Sequence, residues 1–277
     1  MLKTALVALD GSPGSGVAAT LAMNWARRFG ARLLAVGVVD EPAIHGGEAV
    51  PLGGGGYKKA RDEARVADAH VRVVEFLSEF RTRCAARGID AGVIEAVGDP
   101  VEQITWEAQR CDVVILARET HFHFETEDRP DRTLGQLLRT SPRPLVVVPP
   151  VVANGQRVLV AYGGGREVAR TLQAFVLLGL AAGETIDLVS VYRDSARAEA
   201  TLRVASAFLT SHEQPHSVSA IVSSAAPSEV LLEEVRRRQS RMVVIGAHGH
   251  HPVRDLFATS VTRAVLDACP VPIFTGA

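Results

Sequence analysis

The sequence predicts an α/β chain built as two tandem, doubly wound, mainly parallel five-stranded sheets. Short apolar runs stopped by glycine-containing turns alternate with longer segments of helical period, the pattern of a sheet covered on both faces. The same order of strands, turns and prolines then occurs a second time. At 277 residues the chain is long enough to bury two cores of ordinary domain size.

Leu6-Val7-Ala8-Leu9-Asp10-Gly11 reads as a first buried strand and turn, and Leu159-Val160-Ala161-Tyr162-Gly163-Gly164 repeats it. Helical spacing follows at Val17, Leu21, Trp25 and Ala26, and again at Leu172, Phe175, Val176 and Leu180, with Gly30 and Gly183 as the expected stops. Second strands are expected at residues 32–39 and 186–192, each followed by a longer charged helix, near 58–87 and 197–212. A glycine-rich insertion at 46–56 precedes the first of these helices and reads as a loop. Third strands near 90–96 and 217–222 lead to Gly98-Asp99-Pro100 and Ala225-Ala226-Pro227, and proline suits a first helical turn. Fourth strands at 113–116 and 243–246 are nearly continuous apolar runs, as a buried parallel strand requires. Fifth strands at 145–148 and 271–274 close each copy. A repeat this long means duplicated domains, predicted at 1–152 and 155–277 with a boundary near Val152-Ala153-Asn154-Gly155. The apolar fifth strands need cover, which predicts an intrachain pseudo-dimer and leaves room for a homodimer.

Composition narrows the function. Thirty Lys plus Arg against 31 Asp plus Glu give a net charge of -1, so no basic field draws the chain to nucleic acid or to an anionic membrane. The Arg-rich stretch at Arg236-Arg237-Arg238 is accompanied by Glu233 and Glu234 and reads as a solvated face. Cys84, Cys111 and Cys269 lack paired metal-ligand spacing and read as reduced, buried thiols. The N-terminus runs directly into a strand and the most apolar stretch, 174–182, is far below the roughly 20 residues of a membrane span, so a cytoplasmic protein is expected.

Ligands of such sheets bind beyond the strand C-termini. There, after the fourth strand of the second copy, stands Gly246-Ala247-His248-Gly249, then nine residues, then Thr259-Ser260-Val261-Thr262 opening a helix. Glycines at 246 and 249 let the backbone approach a phosphate closely, and amides at a helix N-terminus attract the anion without a lysine. The Ser260 hydroxyl can donate as well.

This loop, spanning 246–262, resembles the nucleotide loop of the universal stress protein (UspA-like) family, with Thr259 in place of its third glycine. The resemblance implies the adenine-nucleotide α-hydrolase-like fold and a site for ATP, with or without Mg²⁺, or for a related adenine nucleotide. It further implies an Asp after the first strand near the ribose and a Val at the end of the second strand on adenine. Asp10 and Val38 fit those roles in the first copy, but its phosphate loop has become Ala117-Arg118-Glu119-Thr120. In the second copy Val191 fits, and the Asp has become Gly163. The second copy is therefore the expected nucleotide site and the first is expected to be empty or weak.

Two rival motifs are present. Gly14-Ser15-Gly16-Val17-Ala18-Ala19, with Asp40 ending the next strand, matches a dinucleotide fingerprint, but the turn is long and the second copy has nothing equivalent. His248, His250 and His251, with His121 and His123 at the matching place in the first copy, invite a metal, yet lack fixed tetrahedral spacing. No P-loop lysine, nucleophile elbow or helical zinc motif is present, so slow ATP hydrolysis is the most activity expected. The resemblance thus implies a stress-response sensor or regulator that binds adenine nucleotide and acts on a regulatory protein partner. The alternative is an interaction scaffold of the same fold without nucleotide.

Overall fold

The structure, a computed structural model, describes residues 1–46, 54–123, 131–247 and 256–276, with the side chains of 256–260 left out. It divides into two compact units, Lys3–Thr140 and Met1–Leu2 with Ser141–Ala277.

In the first unit the elements run β1 (Thr4–Leu9), α1 (Pro13–Phe29), β2 (Arg32–Val39), α2 (Glu41–His45), α3 (Gly55–Ala85), β3 (Ala91–Val97), α4 (Pro100–Ala108), β4 (Val113–Ala117) and α5 (Thr133–Thr140). Its described strands form a parallel sheet in the order β3-β2-β1-β4. Local chemistry starts and stops the helices. Ser12 caps α1 by accepting the Ser15 amide at 3.2 Å, and Gly30 ends it at φ 65°. Asp99 caps α4 in front of Pro100. The α3 side chain Phe76 lies against the ends of β1 and β2, where a Cβ on Gly37 would fall 2.7 Å from its ring. Only glycine lets the long helix settle that close.

In the second unit the elements are β5 (Leu145–Val148), β6 (Arg157–Ala161), α6 (Arg166–Leu177), β7 (Ile186–Tyr192), α7 (Ser195–Ser211), β8 (His216–Val222), α8 (Pro227–Arg237), β9 (Ser240–Val244), α9 (Leu256–Ala268) and β10 (Ile273–Thr275). Its described strands take the order β5-β10-β9-β6-β7-β8, parallel throughout except for β5 against β10. Val147 faces Ile273 and Val146 faces Phe274, so the two apolar strands left uncovered in the sequence cover one another.

The α/β architecture is the expected one, and its ten described strands fall four in the first unit and six in the second, where β5 pairs with β10. Gly183 does not stop α6. The helix ends at Leu177, and Gly179 at φ 71° makes the turn that follows.

At the N-terminal ends of β6 and β7 lies a buried ionic cluster. Asp187, 1% exposed, accepts two bonds from Arg157 at 2.6 Å and one from Ser217 at 2.6 Å, with Arg238 at 3.5 Å. This end of the sheet is a framework, leaving the C-terminal ends for a ligand.

Candidate functional site

The strand order reverses between β1 and β4 and again between β6 and β9, and at such a point a parallel sheet offers a ligand crevice beyond its strand C-termini. In the second unit β6 runs through buried Tyr162 into Gly163, Gly164 and Gly165. Gly165 is the N-cap of α6 and has no side chain to accept its first amides. A Cβ at Gly163, the position that matches Asp10, meets nothing within 4 Å among the described residues, so there is open space there.

Gly246 follows β9. A Cβ on it would lie 2.9 Å from the Val168 amide nitrogen and 3.2 Å from the Val168 Cα, so its backbone packs directly on the first turn of α6. Its carbonyl accepts the Thr262 hydroxyl at 3.0 Å, which ties α9 to the end of β9. Val191 is half-buried near the end of β7, and the next residue, Tyr192, donates its hydroxyl to the Gly163 carbonyl at 2.8 Å. The Arg197 guanidinium stands 5.1 Å from the Tyr192 ring centroid.

Gly246 and Thr262 are thus brought together, and Val191 lies near the end of β7, separated from β9 by β6. His248 and Gly249 lie outside the described residues. Thr259, Ser260 and Val261 belong to α9, which begins at Leu256, about one turn earlier than the expected opening. Tyr192 is the residue that sequence reading missed, since an aromatic at a strand end gives no sign of reaching across to a carbonyl.

The first unit differs. Asp10, 5% exposed, accepts the Ser12 amide at 2.9 Å and the His121 amide at 2.7 Å, so both carboxylate oxygens are engaged by the chain itself. Val38 is fully buried. Phe122, 2% exposed, gives its amide to Asp131 at 2.7 Å, and the His123 Nδ1 pairs with Asp40 at the end of β2. The segment after β4 therefore lies across the ends of β1 and β2. Asp40 also caps α2 through the Ala43 amide, and Gly14 and Gly16 lie inside α1, so the dinucleotide motif is spent on helix starts. Among the described residues no three His, Cys, Asp or Glu side chains group as metal ligands.

His123 has its pKa raised, first by the hydrogen bond to Asp40, against the opposing effect of burial, and then by the charges of Asp131, Asp40 and Asp99. A raised value in the folded state stabilises below the ordinary 6.5 and loses that contribution as pH climbs through the folded value. His123→Gln is therefore expected to lower stability most on the acid side of pH 6.5, with the difference shrinking in alkali. Urea midpoints of parent and variant across pH measure this, and a difference that grows with pH contradicts the pairing.

The Universal stress protein family model matches residues 1–149 and again 155–275. A universal stress protein of Synechocystis sp. strain PCC 6803 is 22% identical over 164 residues, 59% of this chain, and that match spans only 57% of the relative's length. A universal stress protein from Archaeoglobus fulgidus DSM 4304 superposes with a TM-score of 0.73 at 20% identity, covering 99% of this chain and 97% of that one. A functionally unknown protein from Pseudomonas aeruginosa PAO1 gives 0.60 at 16% identity, over 99% and 92%. The structural likenesses show the α/β fold, and the doubled match defines the class. The chain belongs to the universal stress protein family and carries its domain twice. Among the described residues no helix is long and apolar enough to cross a membrane.

Proposed function

We propose that the chain binds ATP or a related adenine nucleotide in the crevice of its second unit and serves in the stress response as a sensor or regulator, nucleotide occupancy altering the surface it offers a protein partner. The observation that carries this reading is the Gly246 junction. Backbone packs on backbone there, the α6 N-terminus is uncapped by any side chain, and Thr262 holds α9 to the same strand end. An α6 N-terminus without a side-chain cap, beside a close-packed strand end, suits a polyphosphate, whose charge is met by amides and the helix dipole.

Val191 would pack on adenine, and the space at Gly163 would receive the ribose. His248, Gly249, Thr259, Ser260 and Val261 would complete the phosphate contacts, and Mg²⁺ would neutralise the phosphates when present. The chain's own part is to bind and orient, and no residue here is assigned a chemical step.

A nucleotide-free scaffold is favoured for one half only, the first, where the chain covers its own crevice. Release of an adenine-absorbing ligand when the purified protein is denatured separates the two readings for the whole chain. Gly249→Val should weaken Mg-ATP binding by on the order of a few kcal/mol while leaving the fold intact, since a Cβ would stand where the phosphate approaches. Calorimetric titration measures it, and a variant binding like the parent removes Gly249 from the site.

A further inference from the structure

We propose that the Asp131 carboxylate is a built-in anion, which in the first copy fills the place a ligand phosphate would take in the second. The proposal rests on the nucleotide reading only for the identity of that ligand. Asp131 follows Ala117 at the same spacing at which Ser260 follows Gly246, and Thr133 likewise corresponds to Thr262. The hydroxyl residue of a phosphate loop is thus replaced by a residue that carries its own negative charge.

The geometry follows the substitution. One Asp131 oxygen accepts the Phe122 amide, in the turn after β4, at 2.7 Å, and the other accepts the amide of Thr133, the first residue of α5, at 2.7 Å. An amide after the fourth strand and an amide opening the next helix are the donors that a phosphate loop turns on its anion. Ordinary capping explains the Thr133 contact but not the Phe122 contact, which comes from a separate turn.

A second observation comes from the Thr133 hydroxyl. Thr133 is 1% exposed, and its oxygen has no hydrogen-bond partner among the described residues, although its counterpart Thr262 donates to the Gly246 carbonyl. A buried hydroxyl left idle on the residue whose amide holds the carboxylate is a donor that an anion with more oxygens would use. A phosphate cannot enter while Asp131 stays, because two anions would share one set of donors and the segment pinned by Asp10 and Asp40 covers the crevice. The first copy is therefore a phosphate site closed by its own side chain.

The test uses the full chain, ¹⁵N-labelled, with inorganic phosphate as the probe and the Phe122 and Thr133 amide resonances as the readout. In Asp131→Ser, which restores the hydroxyl of the second copy, and in the near-isosteric Asp131→Asn, phosphate is expected to move both resonances with an affinity about tenfold or more above the parent. Equal response in parent and variants overturns the proposal. So does a folded variant in which neither amide moves. Loss of folding in both variants would make the carboxylate a structural member and overturn it as well. Both amides belong to the first unit, so their response stands apart from whether Mg-ATP binds at Gly246.

Discussion

Replacing Asp187 with alanine is expected to destabilise the second unit by about 3–5 kcal/mol, the range for removing one partner of a buried ion pair. Asp187 is 1% exposed and holds Arg157 through two bonds at 2.6 Å, Ser217 through one, and Arg238 by charge at 3.5 Å. Burial acts most strongly on its carboxyl and pushes the pKa up. The bonds from Arg157 and Ser217 and the charges of Arg157 and Arg238 outweigh it and hold the value below the ordinary one. Arg157 is 44% exposed and can turn to water when its partner is lost, whereas Arg238 is 13% exposed and keeps Glu234, at 2.6 Å, and the Ser219 hydroxyl, at 3.0 Å. The loss should therefore fall nearer 3 than 5 kcal/mol, the lower end of about that range. A lowered folded value stabilises above the ordinary 3.8 and is lost as pH falls through the folded value, so the gap between parent and variant should close in strong acid. Urea unfolding of both proteins at neutral and acid pH measures it. A gap under about 1 kcal/mol at neutral pH, the size of an exposed pair, would contradict the cluster's role.

Gly246→Val is expected to destabilise the same unit by about 3 kcal/mol, as overpacking against an immovable neighbour does. The added Cβ would meet the Val168 amide nitrogen at 2.9 Å and the Glu167 carbonyl carbon at 3.3 Å, and both are backbone atoms of the first turn of α6. No side chain can swing away, so the helix must move or the β9 end must retreat, straining the bond from Thr262 to the Gly246 carbonyl. Denaturant midpoints and a crystal structure of the variant test this. A variant as stable as the parent, with α6 in place, would show that the junction is looser than described.

The strands that sequence reading placed best are those the chain punctuates clearly. The run at 32–39 lies between Ala31 and Asp40 and is apolar almost throughout, and β2 occupies those residues. The run at 186–192 ends against Arg193 and Asp194, and β7 matches it as well. The start of β9 was hidden by Arg241, a charge inside a buried strand that is tolerable only because it reaches Glu184 and the Leu180 carbonyl, partners far away in sequence. The short helix α2 carries Pro42 in its first turn and lies just before the glycine-rich insertion, in a stretch too short to show a helical period.

Pairing partners were the least legible feature. Nothing in Leu145-Val146-Val147-Val148 says which strand will hydrogen-bond to it, since an apolar edge is satisfied by any apolar edge. At the site, Gly246 was legible because close backbone approach demands glycine, and Asp10 because an Asp after a strand invites a role. That Asp10 would spend both oxygens on the amides of Ser12 and His121 depended on a contact across the sheet. Asp131 carries a signal in its register with Ser260, but a carboxylate there reads as an ordinary cap until the Phe122 amide is found on it.

Calorimetric titration of the full chain with Mg-ATP decides where nucleotide binds. One site per chain is expected, weakened in Gly249→Val and unchanged in Asp10→Ala, because in the first unit Asp10 is bound to the chain's own amides. Two equal sites, no site, or binding abolished by Asp10→Ala and retained in Gly249→Val would contradict it.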